Sequence, residues 1–140
     1  MKKILLILCT IASLMALPAQ ADDSTYKAFG ERAGIASLMD DFWLDLQADK
    51  RMKPFFEKTN AEAFKKSLGD QICQVSGGPC QYKGPDMKLA HSEMDIKRSD
   101  FNALVEVLQI SMNRRGIAFN AQNRLLALLA PMHREIITVK

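Results

Sequence analysis

Residues 77–96 constrain this chain more than any other stretch. They open with Gly77-Gly78-Pro79, a combination that stops a helix and cannot start another at once. An irregular crossing with Tyr82, Gly84 and Pro85 follows, and it delivers His91 at the end of a short apolar turn. His91 is one of only 2 histidines. So long a stretch between regular elements is uncommon unless it is functional.

The sequence on either side reads as helix. Period-two runs of Val, Ile and Thr are absent, and no Asn-Gly or Asp-Gly hairpin signal occurs. After a short turn around Tyr26 and Phe29, Gly30 and Gly34 lead into a first long helix. Its apolar face is Ile35, Met39, Phe42 and Leu46, with Trp43 at the border and Asp40, Asp41 and Asp45 turned outward. Pro54-Phe55-Phe56 forms a tight corner. Thr59 and Glu62 read as a capping box, so a second helix is expected from about Asn60, with the stripe Phe64, Leu68, Ile72 and Val75. Gln71, on the same helix, is expected to point away from that stripe. A third helix starts near Ser99-Asp100, carries Phe101, Leu104, Val105, Leu108 and Met112, and stops at Gly116 with Arg114 and Arg115 in its last turn. Asn120 is placed to cap a fourth helix with buried face Leu125, Leu129, Met132 and Ile136, kinked near Ala127 by Pro131. The charge runs Asp40-Asp41 and Lys65-Lys66 read as solvated faces, and His133 as a solvated or capping residue. The fold class is all-α.

Compartment follows from the first 21 residues. Lys2 and Lys3 precede an apolar run over residues 4–17 and the small-x-small site Ala19-Gln20-Ala21, the pattern of a cleaved export signal. A membrane anchor would need about 18 or more apolar residues. The reading is therefore a signal peptide over 1–21, one helical domain over 22–140, and a periplasmic or secreted, monomeric product with no membrane span after cleavage. Without Lys2 and Lys3 the 19 basic residues all but balance the 16 acidic ones. No basic stripe with interleaved aromatics remains, so nucleic-acid binding has little support. Cys73 and Cys80 survive processing, and in an oxidising compartment they favour a disulfide. A redox-active pair and a metal site are the alternatives, although the spacing is not Cys-x-x-Cys and no second Cys/His pair exists for zinc.

One imidazole delivered by a punctuated loop between long helices is an arrangement that haem proteins use to hold iron. The residues that carry a specific likeness run through nearly all of 22–140. They are Tyr26-Lys27-Ala28-Phe29-Gly30, Asp41-Phe42-Trp43, Ala48-Asp49-Lys50-Arg51, Pro54-Phe55-Phe56, Gly77-Gly78-Pro79, Tyr82-Lys83-Gly84, Met87-Lys88-Leu89-Ala90-His91, Ile96, Phe101 and Leu129-Ala130-Pro131. In this order and spacing they resemble the truncated haemoglobins, specifically their first group.

The resemblance implies a two-over-two helical sandwich around a non-covalent haem b. It makes His91 the proximal iron ligand and Phe56 the corner phenylalanine on the haem face. Phe64 and Leu68 fall on the distal side with Ile72 one turn further, and Tyr82 and Lys88 fall near the propionates. Ile96, Phe101 and Leu104 become proximal or edge contacts, and Met87 and Met94 lie close enough to His91 to touch haem. The absence of Cys-x-x-Cys-His excludes c-type attachment. Two departures stand out. The family usually has a tyrosine where this chain has Trp43, and adjacent glycines where it has Gly30-Glu31. An indole N–H lies elsewhere than a phenol hydroxyl, so the distal pocket of Trp43, Phe64 and Leu68 is expected to be less polar than the family norm. Weaker oxygen retention, relatively preserved carbon monoxide binding and no histidine sixth ligand follow.

The functional expectation is an exported haem protein that reversibly binds oxygen, carbon monoxide or nitric oxide. A haem enzyme, turning over nitric oxide or peroxide with an unidentified reductase, is the alternative within that class. A haem-free helical interaction module and a thiol redox protein using Cys73 and Cys80 stand outside it.

Overall fold

The computed structural model describes residues 22–139, so the expected signal peptide lies outside the described residues. The apolar spacing of the longest helix sets the architecture. In α2 (Glu31–Ala48), Ile35, Leu38, Met39, Phe42 and Leu46 recur every three or four residues and are each no more than 2% exposed. Two helices pack on this stripe, α4 (Ala61–Val75) and α6 (Arg98–Arg114). The fourth long element, α7 (Phe119–Leu129), runs against both α4 and α6. Two helices over two, around one core of Phe42, Leu38, Met39, Ile72, Met112 and Leu125, is the result. Each such side chain contributes roughly 1.5–3 kcal/mol by leaving water. No strand occurs among the described residues, and none of their helices is long and apolar enough to cross a membrane.

Short elements fill the corners. They are α1 (Ser24–Ala28), the single turn α3 (Lys53–Phe56), α5 (Met87–His91), a 3₁₀ turn (Ala130–Met132) and α8 (His133–Ile136). The α4–α2 crossing is close because Gly69 faces Met39, whose Cγ would lie 3.5 Å from an added Cβ. Between α1 and α2 the chain reverses through Gly30 and Glu31, at φ of 76° and 58°. Where the resembled family has adjacent glycines, this chain holds a glutamate in the left-handed region.

Several local expectations are corrected. The cap of α4 is Asn60, whose Oδ1 accepts from the Ala63 N–H at 2.9 Å, and not Thr59. Glu62 instead pairs with Lys65 at 2.6 Å. The start of α7 is Phe119 after Ala118, with Asn120 already inside the first turn and no side-chain cap. Pro131 acts later than expected. Rather than bending the helix near Ala127, α7 ends at Leu129 and tightens into the 3₁₀ turn, which removes the need for the N–H that proline lacks.

The acidic face of α2 is not simply solvated either. Asp40 pairs with Lys65 of α4 at 2.9 Å, and Asp41 with Arg115 at 2.7 Å. Asp45 accepts from Arg114 and from the fully buried Ser111 hydroxyl at 2.6 Å. A one-dimensional reading sees outward carboxylates, but the crossing helices bring cations to them.

Candidate functional site

The loop between α4 and α5 is held at nearly every step. Cys73 in the last turn of α4 is bonded to Cys80, with Cα atoms 5.7 Å apart. Gly78 sits inside that clip, where an added Cβ would lie 2.6 Å from both Cys73 Sγ and the Tyr26 ring. Only glycine fits there. Further along, the Tyr82 N–H donates to Gln74 Oε1 at 2.5 Å, and the Tyr82 hydroxyl donates to the Pro85 carbonyl at 2.7 Å. Asp86 then caps α5, its Oδ1 accepting from the Leu89 N–H at 2.7 Å.

This chain of contacts ends at His91. Its Nδ1 lies 2.7 Å from the Met87 carbonyl. A carbonyl can only accept, so Nδ1 carries a proton, and in the neutral ring Nε2 keeps its lone pair. A backbone acceptor on one ring nitrogen orients the other as a metal ligand. His91 is half-buried, and α5 packs on α8. Beyond it, Ile96 anchors the C-terminal segment. Its N–H donates to Thr138 Oγ1 at 2.8 Å, and its carbonyl accepts from Thr138 and Val139, each at 3.0 Å.

Trp43, Phe56 and Phe64 form an aromatic cluster. Trp43 lies 6.2 Å from Phe56 and 5.5 Å from Phe64, ring centre to ring centre, and Phe56 lies 5.1 Å from Phe64. Leu68 continues the row one turn along α4 and is half-buried. Ile72 is fully buried in the core. On α6, Leu104 and Phe101 are half-buried, the latter 6.3 Å from the His133 ring. Helix α4 packs on α2 and α7 but runs close to neither α5 nor α6 along any length. Phe64 and Leu68 on α4, and Phe101 and Leu104 on α6, are left half-covered.

The expected residues fall into three sets. Trp43, Phe56 and Phe64 meet as one cluster with Leu68 beside it, while Met87 and His91 share α5 and Ile96 follows that helix. Tyr82 lies on the connecting loop with its hydroxyl directed to Pro85, and Lys88 is exposed in the first turn of α5.

Gln71 is the correction. It does not point away: it is 8% exposed, and its Nε2 lies 3.4 Å from Met87 Sδ and 3.5 Å from Met132 Sδ. The signal was present, because residue 71 is seven positions after Phe64 and three after Leu68, on the same helical stripe.

The donor set favours a macrocycle. Among the described residues no three His, Cys, Asp or Glu side chains gather to hold a bare metal ion. A lone imidazole with an available Nε2, in a fold that also gathers an aromatic cluster, suits a planar group that brings the remaining donors itself.

Known proteins agree with this geometry. The pattern of the Bacterial-like globin family matches residues 24–138. A group 1 truncated haemoglobin from Tetrahymena thermophila is 30% identical over 95 residues, covering 68% of this chain and 78% of the relative. The group 1 truncated haemoglobin GlbN of Mycolicibacterium paratuberculosis is 25% identical over 115 residues, covering 82% and 85%. The crystal structure of the truncated haemoglobin of Tetrahymena pyriformis in its Fe(III) form superposes with a TM-score of 0.77 at 26% identity, covering 83% of this chain and 98% of that one. The fold of two helices packed over two thus has its counterpart in the truncated haemoglobin of known structure, and the chain belongs to the Bacterial-like globin family as a group 1 truncated haemoglobin.

Proposed function

We propose that this chain binds haem b without covalent attachment and uses it to bind diatomic gases reversibly. The observation that carries the reading is His91, with Nδ1 tied to the Met87 carbonyl at 2.7 Å and Nε2 left as the donor. When bound, haem supplies an iron with one coordination position for a gas molecule. His91 would hold that iron through Nε2, and its backbone hydrogen bond fixes the plane in which the ring presents itself.

The other residues determine what reaches the iron and how firmly it stays. Phe56 and Phe64, packed edge to face at 5.1 Å, offer an apolar surface that excludes water from one face. Trp43 closes the cluster and brings an indole N–H in place of a hydroxyl. A pocket walled by Trp43, Phe64 and Leu68 discriminates poorly in favour of a polar gas, because hydrogen bonding is what separates polarised oxygen from carbon monoxide. Oxygen retention is therefore weak, and carbon monoxide binding is preserved. Lys88, exposed on α5, and Tyr82, on the loop before it, are the groups we assign to the carboxylates of the haem edge.

The test is a visible absorption spectrum of residues 22–140 purified with haem supplied, ferric and ferrous, with and without carbon monoxide. An intense Soret band that shifts with carbon monoxide, and is lost or altered in His91→Ala, is expected. A colourless protein that takes up no haem would overturn the reading. Export is proposed from the composition of residues 1–21 alone. N-terminal sequencing of the full-length product from a bacterial host should find Asp22 first in the periplasmic fraction, and an intact Met1 would end that part of the proposal.

A further inference from the structure

Gln71, Met87 and Met132 come from three different elements, α4, α5 and the 3₁₀ turn, and meet at one point. The Gln71 amide is nine-tenths buried, and its Nε2 faces two thioether sulfurs at 3.4 and 3.5 Å. Thioether sulfur is a weak acceptor, so a buried amide N–H is paired there with the poorest partners a protein offers. The contact also bridges α4 to α5 and to the 3₁₀ turn, where helix-to-helix packing does not.

The methionines of the described residues divide sharply by access. Met39, Met52 and Met112 are each no more than 1% exposed, whereas Met87, Met94 and Met132 are half-buried. Oxidants therefore reach the two sulfurs at Gln71 and one control sulfur, Met94, before the other three. Met87 matters doubly, because its backbone carbonyl is the acceptor that orients His91.

We infer that Met87 and Met132 are peroxide-modification sites, and that Gln71 reads their oxidation as a tightening of the latch between α4 and α5. In the step itself a sulfur lone pair attacks one peroxide oxygen. The S–O bond forms, the O–O bond breaks and water leaves, so sulfur is oxidised by two electrons as the peroxide is reduced. The sulfoxide oxygen is a strong acceptor at the place where Nε2 now meets bare sulfur. One ordinary hydrogen bond gained corresponds to a change of about fivefold. The consequence for haem retention rests on the haem reading above, while the site and the latch do not.

The experiment treats the full domain, with haem and without, with limiting hydrogen peroxide and compares it with untreated protein. Peptide mass spectrometry should find sulfoxide at Met87, Met94 and Met132 well before Met39, Met52 and Met112. In the oxidised haem-loaded protein, transfer of haem to an excess scavenger should slow about fivefold, and hydrogen exchange of residues 87–91 should slow in the haem-free protein. Gln71→Leu should keep the oxidation pattern and lose both effects. Met87→Leu/Met132→Leu should lose both effects while Met94 still oxidises. Even oxidation across all six positions would overturn the proposal. So would unchanged or faster exchange after oxidation, or the same slowing in Gln71→Leu. If the protein takes up no haem, the proposed function falls, and hydrogen exchange alone decides the latch.

Discussion

Trp43→Tyr tests the account of the distal pocket most directly. Trp43 packs 5.5 Å from Phe64 and 6.2 Å from Phe56, the latter edge on. Tyrosine keeps one ring for both contacts and adds a hydroxyl at its tip. A neutral hydrogen bond in a protected site is worth roughly 1–1.5 kcal/mol net, which is about a 5- to 12-fold change in a rate limited by breaking it. Oxygen dissociation from the ferrous haem protein, followed by stopped-flow displacement with carbon monoxide, should slow by that factor. Carbon monoxide dissociation should change far less, because that ligand is a poor acceptor. Trp43→Phe supplies the control: it keeps an aromatic ring, offers no donor and should not slow oxygen release. If Trp43→Tyr releases oxygen as fast as the native protein, residue 43 does not limit retention. If Trp43→Phe slows it equally, packing and not hydrogen bonding is responsible.

Other perturbations test the scaffold. Replacing Cys73 and Cys80 together by alanine should cost about 2.5 kcal/mol, the loop-closure value for so short a ring, seen as a lower urea midpoint; equal midpoints would mean the clip contributes nothing. Glu31→Gly should stabilise the domain by about 1 kcal/mol in the same assay, because φ of 58° is strained for any residue with a Cβ. Asp49 accepts from the Arg51 side chain and backbone, and these hydrogen bonds hold its carboxyl below the ordinary carboxylate range. A depressed folded-state value means that this stabilisation is present above about pH 4 and is lost as pH falls through the folded value. Asp49→Asn should therefore lower the urea midpoint at pH 6 while flattening its decline below pH 4, and parallel pH profiles would show that Asp49 carries no acid sensitivity.

Much of this protein is legible without a structure, because helices announce themselves locally. The three- and four-residue spacing of Ile35, Met39, Phe42 and Leu46 determined α2, and the glycines and proline at 77–79 determined where α4 stops. His91 stood out by scarcity and by its punctuated surroundings. Boundaries were less legible. Asn60 displaced Thr59 as a cap because both are competent, and one backbone geometry chooses between them. Pro131 could be known to break its helix but not how, since a kink and a 3₁₀ turn both accommodate its missing N–H.

What tertiary structure alone decided is which groups from distant elements share a space. Local periodicity gives a residue's direction on its own helix and nothing about what lies opposite. Asp41 and Asp45 read as solvated until α6 brought Arg115 and Arg114 across to them. Gln71 read as pointing away from the apolar stripe until α5 and the 3₁₀ turn placed two sulfurs over its amide. Hydrogen bonds and ion pairs act over a few ångströms, so their partners are settled by how helices cross, after the pattern of each helix has made the crossing possible.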